Sequence, residues 1–449
     1  MRALRQALSR MAQYPSAMAG LTIISLLLLV AVGSVIGIPY NQAVDLWRGE
    51  DNVWREHPRN ARPIWSGWLS QGSLPPTIIT DSREVETRET RFDGGRIVEI
   101  PLAFDFDYDG FPAEINLFLE AEYEEVRPHL SMLWTTPDGR EIPLRPRRVE
   151  SRSHRESISQ DSHLRDWRLD GLPPEIGLFG EPRDDPSAIP AVARGRHELL
   201  LETVLFEEDA ALEARLVVYG QVHGLAGTDH RRRSLLVALL WGAPVALAFG
   251  LLAAVGTTVT TLLIAAIGVW FGGFIDATIQ RLTEVSMILP MLPVLVMIGT
   301  LYSSSIWLML GVIILLGIFS AAVKVYRAML LPLRDAPYIE AARAYGASNA
   351  RIILRYMIPR VLPVLIPGFV TLIPTFVFLE ASLAVLGLGD PVLPTWGKIL
   401  NDAQEQSALY HGRYYWVLQP AGLLMLTGLG FAMVGFALDR IFNPRLRIM

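Results

Sequence analysis

Six apolar runs, each near the length of a membrane crossing, decide what this chain can fold into. They lie at 15–38, 234–263, 286–302, 306–330, 361–388 and 416–441, and the second stays apolar as far as Phe271. A helix needs about 20 mainly apolar residues to cross the hydrocarbon of a bilayer. Between the first and second runs, 39–225 is polar, charged and rich in Trp, Pro and Gly. The averages of 51% hydrophobic and 19% charged residues therefore blend two materials: too greasy for a soluble protein, too charged for a bare bundle. The expected fold is an all-α polytopic membrane bundle of six transmembrane helices carrying an inserted, mainly-β extracytoplasmic domain. Its expected divisions are 1–38 (N-terminus and first span), 39–225 (inserted domain) and 226–449 (core with five spans).

Basic residues orient the bundle. Arg2, Arg5 and Arg10 precede the first run. Lys324, Arg327, Arg334, Arg343, Arg351, Arg355 and Arg360 surround a polar loop, and Arg440, Arg445 and Arg447 follow the last run. With six crossings all three clusters fall on one side, which the positive-inside rule makes cytoplasmic. Both termini are then cytoplasmic and 39–233 lies outside. The first run has the basic start of a signal peptide, but it is long for one, and its removal would leave an odd number of crossings. The formal charge of −5 gives no reason to expect a nucleic-acid partner. Without cysteine there is neither a disulfide nor a thiolate metal site.

Within 39–225, residues 96–107 alternate apolar and polar at the strand period, and 114–123 and 129–134 follow suit. Pro137-Asp138-Gly139 reads as a hairpin turn leading to Glu141-Ile142. A second pair, 198–206 and 211–219, flanks Glu207-Glu208-Asp209. About seven short strands predict a β-sandwich, with 151–185 loop-rich. His154, His163, Asp161 and Asp166 match no compact metal-ligand spacing. Phe104, Asp105, Asp107, Asp109 and Gly110 mimic a calcium loop, but Asn116 stands where its late glutamate belongs. Trp47, Trp54, Trp65 and Trp68 form an interfacial belt or pack beneath the domain. The domain docks a solute-binding protein, shapes an entrance or serves only as structure; the residues do not choose.

The most informative segment is polar and punctuated, 338–363, overlapping a candidate coupling loop at 335–360. Asp335 is placed to cap a first helix and Pro337 suits its opening turn. Tyr338, Ala341, Ala342 and Tyr345 share one face. Gly346 is a natural stop. Ser348 or Asn349 caps a second helix with the apolar stripe Ile352, Ile353, Tyr356 and Met357, before Pro359 intervenes. A short helix, a glycine joint and a second helix at a membrane surface form a handle for another protein.

This segment resembles the EAA loop of the membrane subunits of ATP-binding-cassette (ABC) importers. Glu340, Ala341, Ala342, Gly346 and Pro359 stand at the family spacing, while Tyr356 and Ile358 replace its Ile and Leu. Further stretches are similar to the second, C-type permease of the dipeptide, oligopeptide and nickel branch. They are His223-Gly224-Leu225-Ala226-Gly227-Thr228-Asp229, with Gly224 for proline and an extra Ala226; Phe271-Gly272-Gly273-Phe274-Ile275-Asp276; and 379–389. Pro394-Thr395-Trp396-Gly397 and Asn443-Pro444-Arg445-Leu446 also fit. The likeness covers the first span and about 222–449, not the inserted domain.

The resemblance implies a type I importer permease in the bacterial inner membrane, without catalysis or cofactor of its own. Implied partners are a second permease subunit, two ATPase subunits that bind ATP, an extracytoplasmic solute-binding protein and the lipid bilayer. Peptides are the commonest cargo of the branch, nickel another. ATPase coupling falls to Glu340, Ala341, Ala342, Arg343 and Gly346, with Glu340 and Arg343 as polar contacts at the rim of an ATPase cleft.

Some positions stand out on physical grounds. Glu380 is a lone carboxylate in an apolar run, so it faces the bundle or is hydrogen-bonded, and either pins helices or touches the pathway. Pro363, Pro367 and Pro374, like Pro290 and Pro293, favour kinks. Gly250, Ala253 and Ala254 permit close helix contact. Gly397-Lys398 is followed by Ile399 and forms no phosphate-binding loop. The rivals are a membrane-anchored extracytoplasmic enzyme or sensor, and an ion-coupled transporter. The first needs no six spans and the second needs more intramembrane charge than Glu380.

Overall fold

The computed structural model describes residues 13–49, 53–69, 72–183, 185 and 188–442. Arg2, Arg5, Arg10, Asn443, Pro444, Arg445, Leu446 and Arg447 lie outside the described residues. The chain forms two compact units, one of residues 49–236 and the other of residues up to 48 together with those from 237.

The first unit is a sandwich of two antiparallel sheets. Strands β1 (Ile78–Asp81), β2 (Arg88–Phe92), β3 (Gly95–Phe106), β4 (Glu114–Glu122), β5 (His129–Thr135), β6 (Glu141–Arg148), β7 (Ser153–Ser157), β8 (Gly195–Leu205) and β9 (Ala211–Tyr219) build it. Their orders are β1-β9-β4-β7 and β2-β3-β8-β5-β6. The long pair β3–β8 runs in register from Arg96 opposite Leu205 to Phe106 opposite Gly195. Ile100, Leu102, Phe104 and Phe106 point inward from one sheet and Ile115, Leu117, Leu119 and Ala121 from the other, meeting in one core with Trp134. Alternation at period two makes this possible, since every second side chain faces the opposite sheet.

The described residues form nine strands rather than about seven. The segment 151–185 holds β7, a short helix α1 (Ser162–Arg168) and a helical turn at Pro174–Gly177. Asp161 caps α1, accepting from the His163 and Leu164 amides at 2.9 and 3.1 Å. His154 contacts Glu156, and Asp166 pairs with Arg165. Asp109 accepts from the Ser73 amide at 2.7 Å and pairs with Arg194.

In the second unit, α2 (Pro15–Gly37), α3 (Leu235–Phe271) and α4 (Tyr414–Phe442) are each long and apolar enough to cross a membrane, as is the helical stretch Asn349–Leu388, which is kinked near its end at Gly387 (φ +84°). At 1.5 Å per residue, the 37 residues of α3 span about 55 Å, well beyond the roughly 30 Å hydrocarbon core. Two further candidates are bent pairs. Gly273–Ile288 and Met291–Leu301 meet at 76°, and Ile306–Gly317 and Ala322–Arg334 at 48°. The run at 286–302 therefore begins inside one helix and ends in another. Pro290 sits in the first bend, as a residue without an amide donor should. Pro363, Pro367 and Pro374 lie inside the Ile358–Leu383 helix, which continues through all three.

Small residues set the spacing. A Cβ on Gly250 would lie 2.6 Å from Val377 and 2.8 Å from the Ile373 carbonyl. One on Gly20 would lie 2.7 Å from the Gly430 carbonyl. Close backbone approach is how helices gain contact in lipid, where the surrounding solvent is as apolar as the side chains.

Candidate functional site

The candidate site is the punctuated segment after Arg334. Helix Ala322–Arg334 ends at Asp335, whose side chain lies 4.0 Å from the Arg334 guanidinium and is 83% exposed. Asp335 does not cap the next helix, Pro337–Ala344. Its N-cap is Ala336, with no side-chain cap bond, and Pro337 opens it. The residue before a proline is driven to extended backbone, here φ −76° and ψ 141°. The boundary thus falls one residue later than the aspartate suggests.

The helix ends in a Schellman motif. Gly346 has φ +74°; its amide donates to the Arg343 carbonyl at 2.9 Å and the Ala347 amide donates to the Ala342 carbonyl at 3.0 Å. Only glycine enters this left-handed geometry without a Cβ penalty. Ser348, not Asn349, then caps Asn349–Ile352, accepting from the Arg351 amide at 3.4 Å. A π turn at Ile353–Met357 comes next and the chain passes straight into Ile358–Leu383. Pro359 does not end the second helix. The wider turn just before it accommodates the missing amide, as π turns do inside longer helices.

Burial separates two faces. Ile339 is fully buried, with Ala336 and Ala347 packed partly against the same cluster as Trp270, Ile352, Ile353 and Met357. Of the expected stripe on the second helix only Tyr356 turns outward, at 37% exposure. On the first helix Tyr338, Glu340, Ala341 and Tyr345 are exposed, Tyr345 at 93%, and Ala342 is half-buried. The face shared by Tyr338, Ala341, Ala342 and Tyr345 is thus largely the outward one, and Ile339 is the anchor.

Arg343 is exposed, and it also has a partner within its own chain. Its guanidinium lies 4.2 Å from the ring centroid of Trp270, at the end of α3. A cation over a tryptophan face is attracted by the ring quadrupole, so Arg343 ties the short helix to its own chain. Arg360 lies 5.8 Å over Tyr338. Asp276 takes both Nε and Nη2 of Arg327, at 2.9 and 2.7 Å. That fork links the turn after α3 to the helix preceding the segment. Gly272, at φ +63°, lets Arg334 come within 3.2 Å of where its Cβ would be. Asp276 and Gly272 stood in the Phe271–Asp276 motif, but Trp270 lay one residue outside it and Ile339 was an ordinary helix position.

Glu380 is buried within Ile358–Leu383, beside the side chain of Thr395. Thr395 caps helix Trp396–Glu405, accepting from the Lys398 amide at 3.1 Å. Trp396 is 1% exposed and donates its indole N–H to the Leu239 carbonyl of α3 at 2.9 Å. Asp390 accepts from the Ile306 amide at 3.0 Å, where the helix Ile306–Gly317 begins. The 379–397 motifs therefore draw four helical segments together. A burial this complete needs such partners, because an unpaired carboxylate in apolar surroundings is costly.

Residues 246–448 match the family described as binding-protein-dependent transport system inner membrane component. The chain is 30% identical over 220 residues to a protein of Brucella suis biovar 1 named as a peptide permease, covering 49% of this chain and 72% of that one. It is 30% identical over 226 residues to the dipeptide transport system permease protein DppC of Alkalihalophilus pseudofirmus, again 49% of this chain and 72% of the relative. With the oligopeptide transport system permease protein OppC of Bacillus subtilis the identity is 26% over 222 residues, at the same two coverages. On that identity and extent, the chain belongs to the binding-protein-dependent transport system inner membrane component family, as a C-type, non-catalytic permease subunit of an ABC importer in the membrane.

Proposed function

We propose that this subunit forms half of a peptide translocation pathway and is driven through the helix Pro337–Ala344, seated in a cleft of a separate ATPase. The observation that carries the reading is the division of that helix. Ile339 is sunk into the chain's own core, while Glu340, Ala341 and Tyr345 are presented to the outside. An amphipathic helix with one satisfied face and one free face suits a groove on another protein. Ala341 gives close approach, Glu340 gives a charge at the rim, and Gly346 sets the angle. Arg343 acts on the near side, holding the helix to Trp270.

In this reading the chain crosses the membrane six times, each bent pair counting as one crossing, with both termini and the handle cytoplasmic. The β-sandwich is extracytoplasmic. A second permease completes the pathway, two ATPase subunits bind ATP, and a solute-binding protein delivers the cargo. The chain itself carries no cofactor. Closure of the ATPase pair pulls on the handle and shifts the bundle from inward- to outward-facing. Glu380 acts as a pin between helices, set beside Thr395.

Purification from mild detergent, with identification of the accompanying subunits and of the ligand held by any binding protein, tests the assembly and the cargo. A charge reversal, Glu340→Lys, should leave the complex assembled but weaken substrate-stimulated ATP hydrolysis and uptake together. Uptake equal to wild type in that variant would overturn the coupling role.

A further inference from the structure

In the β unit, the segments 58–68 and 221–235 are laced together. Arg62 donates its amide to the Gln221 carbonyl and accepts from the His223 amide, and the Ile64 amide donates to the Gly224 carbonyl, at 2.9, 2.7 and 2.9 Å. The Thr228 hydroxyl donates to the Pro58 carbonyl and accepts from the Ala61 amide. This lacing holds the 3₁₀ turn Ile64–Leu69 beside Leu225. The Trp65 indole N–H donates to the Leu225 carbonyl at 2.8 Å, so the polar edge of that ring is satisfied within the chain.

What this scaffold presents is apolar and exposed: Ile64 at 50%, Trp65 at 40%, Trp68 at 86% and Leu225 at 70%. Arg62 shares the outward side with Ile64, since Ala61 and Pro63, which alternate with them, are buried. Solvent-exposed tryptophan beside leucine, isoleucine and arginine is an unfavourable surface for water. It matches the interface of a bilayer, where indole rings settle at headgroup level and guanidinium meets phosphate.

The occupant is fixed by continuity with the membrane helix. The Leu235 amide, at the first residue of α3, donates to the Gly227 carbonyl at 3.1 Å. The loop bearing Leu225 is therefore hydrogen-bonded to the very start of a helix long and apolar enough to cross a membrane. From the start of a span, the nearest large apolar phase is the lipid itself.

We propose that Ile64, Trp65, Trp68 and Leu225 form an interfacial foot, inserted into the outer headgroup layer of the bilayer with Arg62 against lipid phosphate. The foot rests on reading α3 as a span.

The chain has no cysteine, so single labelling sites are available. The full chain, with whatever subunits accompany it, is placed in nanodiscs of phosphatidylcholine and phosphatidylglycerol carrying a bimane label at Trp68→Cys or Leu225→Cys. Val126→Cys, at an exposed site of the β unit, serves as the aqueous control and Leu29→Cys, on the exposed side of α2, as the span control. Labels at 68 and 225 should be quenched by lipid bearing a shallow spin label and show several-fold less quenching by iodide than the label at 126. Iodide quenching equal to that at 126 overturns the proposal. Shielding from iodide without lipid quenching also overturns it, because a protein then covers the patch. Failure of lipid quenching at 29 would instead indict the membrane reading beneath it. Trp68 is so exposed that its replacement leaves the fold intact, and Leu225→Cys repeats the test independently.

Discussion

Gly346→Ala isolates the role of the joint in the handle. The glycine sits at φ +74°, and a Cβ there would meet nothing within 4 Å. The substitution therefore introduces no clash and acts through backbone strain alone. A left-handed residue other than glycine costs about 1–2 kcal/mol, which is roughly a 5- to 30-fold shift between two local conformations. The two Schellman bonds, from the Gly346 and Ala347 amides, are what the strain opposes. Gly346→Asn should recover most of the loss, since asparagine enters this region more readily than alanine. The assay is substrate-stimulated ATP hydrolysis by the assembled importer in nanodiscs, with unstimulated hydrolysis and subunit content as references. Wild type and Asn should lie close together, with Ala several-fold lower and Val lower still. Equal stimulation by wild type, Ala and Val would refute the reasoning, because the angle at Gly346 would then carry no coupling.

Packing and charge lead to three more expected outcomes. A Cβ on Gly242 would stand 2.2 Å from Trp396, so Gly242→Ala should cost about 1–3 kcal/mol through overpacking, lowering the thermal midpoint of the purified protein; combining it with Trp396→Ala should give a smaller loss than the two singles summed. A double-mutant cycle on Arg343 and Trp270 should return a coupling of about 0.5–1 kcal/mol in stability, and a value near zero would mean the contact is incidental. His57, its ring 4.1 Å from that of His223, is held down to about pKa 4 by burial and by that second imidazole. The unfolded chain takes up this proton near pH 6.5, so the contribution is complete above that pH and is lost as pH falls from about 6.5 towards 4; His57→Gln should flatten the thermal midpoint over this window.

Where a local rule had no competitor, the sequence was a sufficient guide. The alternation of 96–107 leaves one face for the core, and β3 occupies almost that range. β2 has every residue exposed and β7 is polar throughout, so neither carries a pattern from which burial could be inferred. The glycine joint was legible because the left-handed region excludes most residues. The facing of the helix before it was not, since alanines and tyrosines suit either side and the one decisive residue, Ile339, has only the small Ala336 and Ala342 as apolar neighbours at helical spacing. Asp335 misled because a cap and a pre-proline extension compete for the same boundary. The bends at Pro290 and near Ser320 broke apolar runs that read as continuous, as hydropathy records composition and not direction.

The two halves of the handle are mechanically unequal, and the proposed coupling depends on that. The first helix is short and held at Ile339 and Arg343. The second belongs to a helical stretch of 40 residues, Asn349–Leu388, about 60 Å long at 1.5 Å per residue. A force on Pro337–Ala344 that reaches Asn349 enters this rod end-on, and the rod carries Glu380 into contact with Thr395 near its far end. Helices transmit displacement as rigid bodies, and packed interfaces tend to switch between discrete arrangements rather than deform continuously. Thr395→Val would remove the hydroxyl from Glu380 and from the cap of Trp396–Glu405 while keeping nearly the same volume. If the rod acts through this pin, Thr395→Val should leave ATPase binding unchanged yet reduce uptake per ATP hydrolysed. A proportional fall in both hydrolysis and uptake would place the transmission elsewhere.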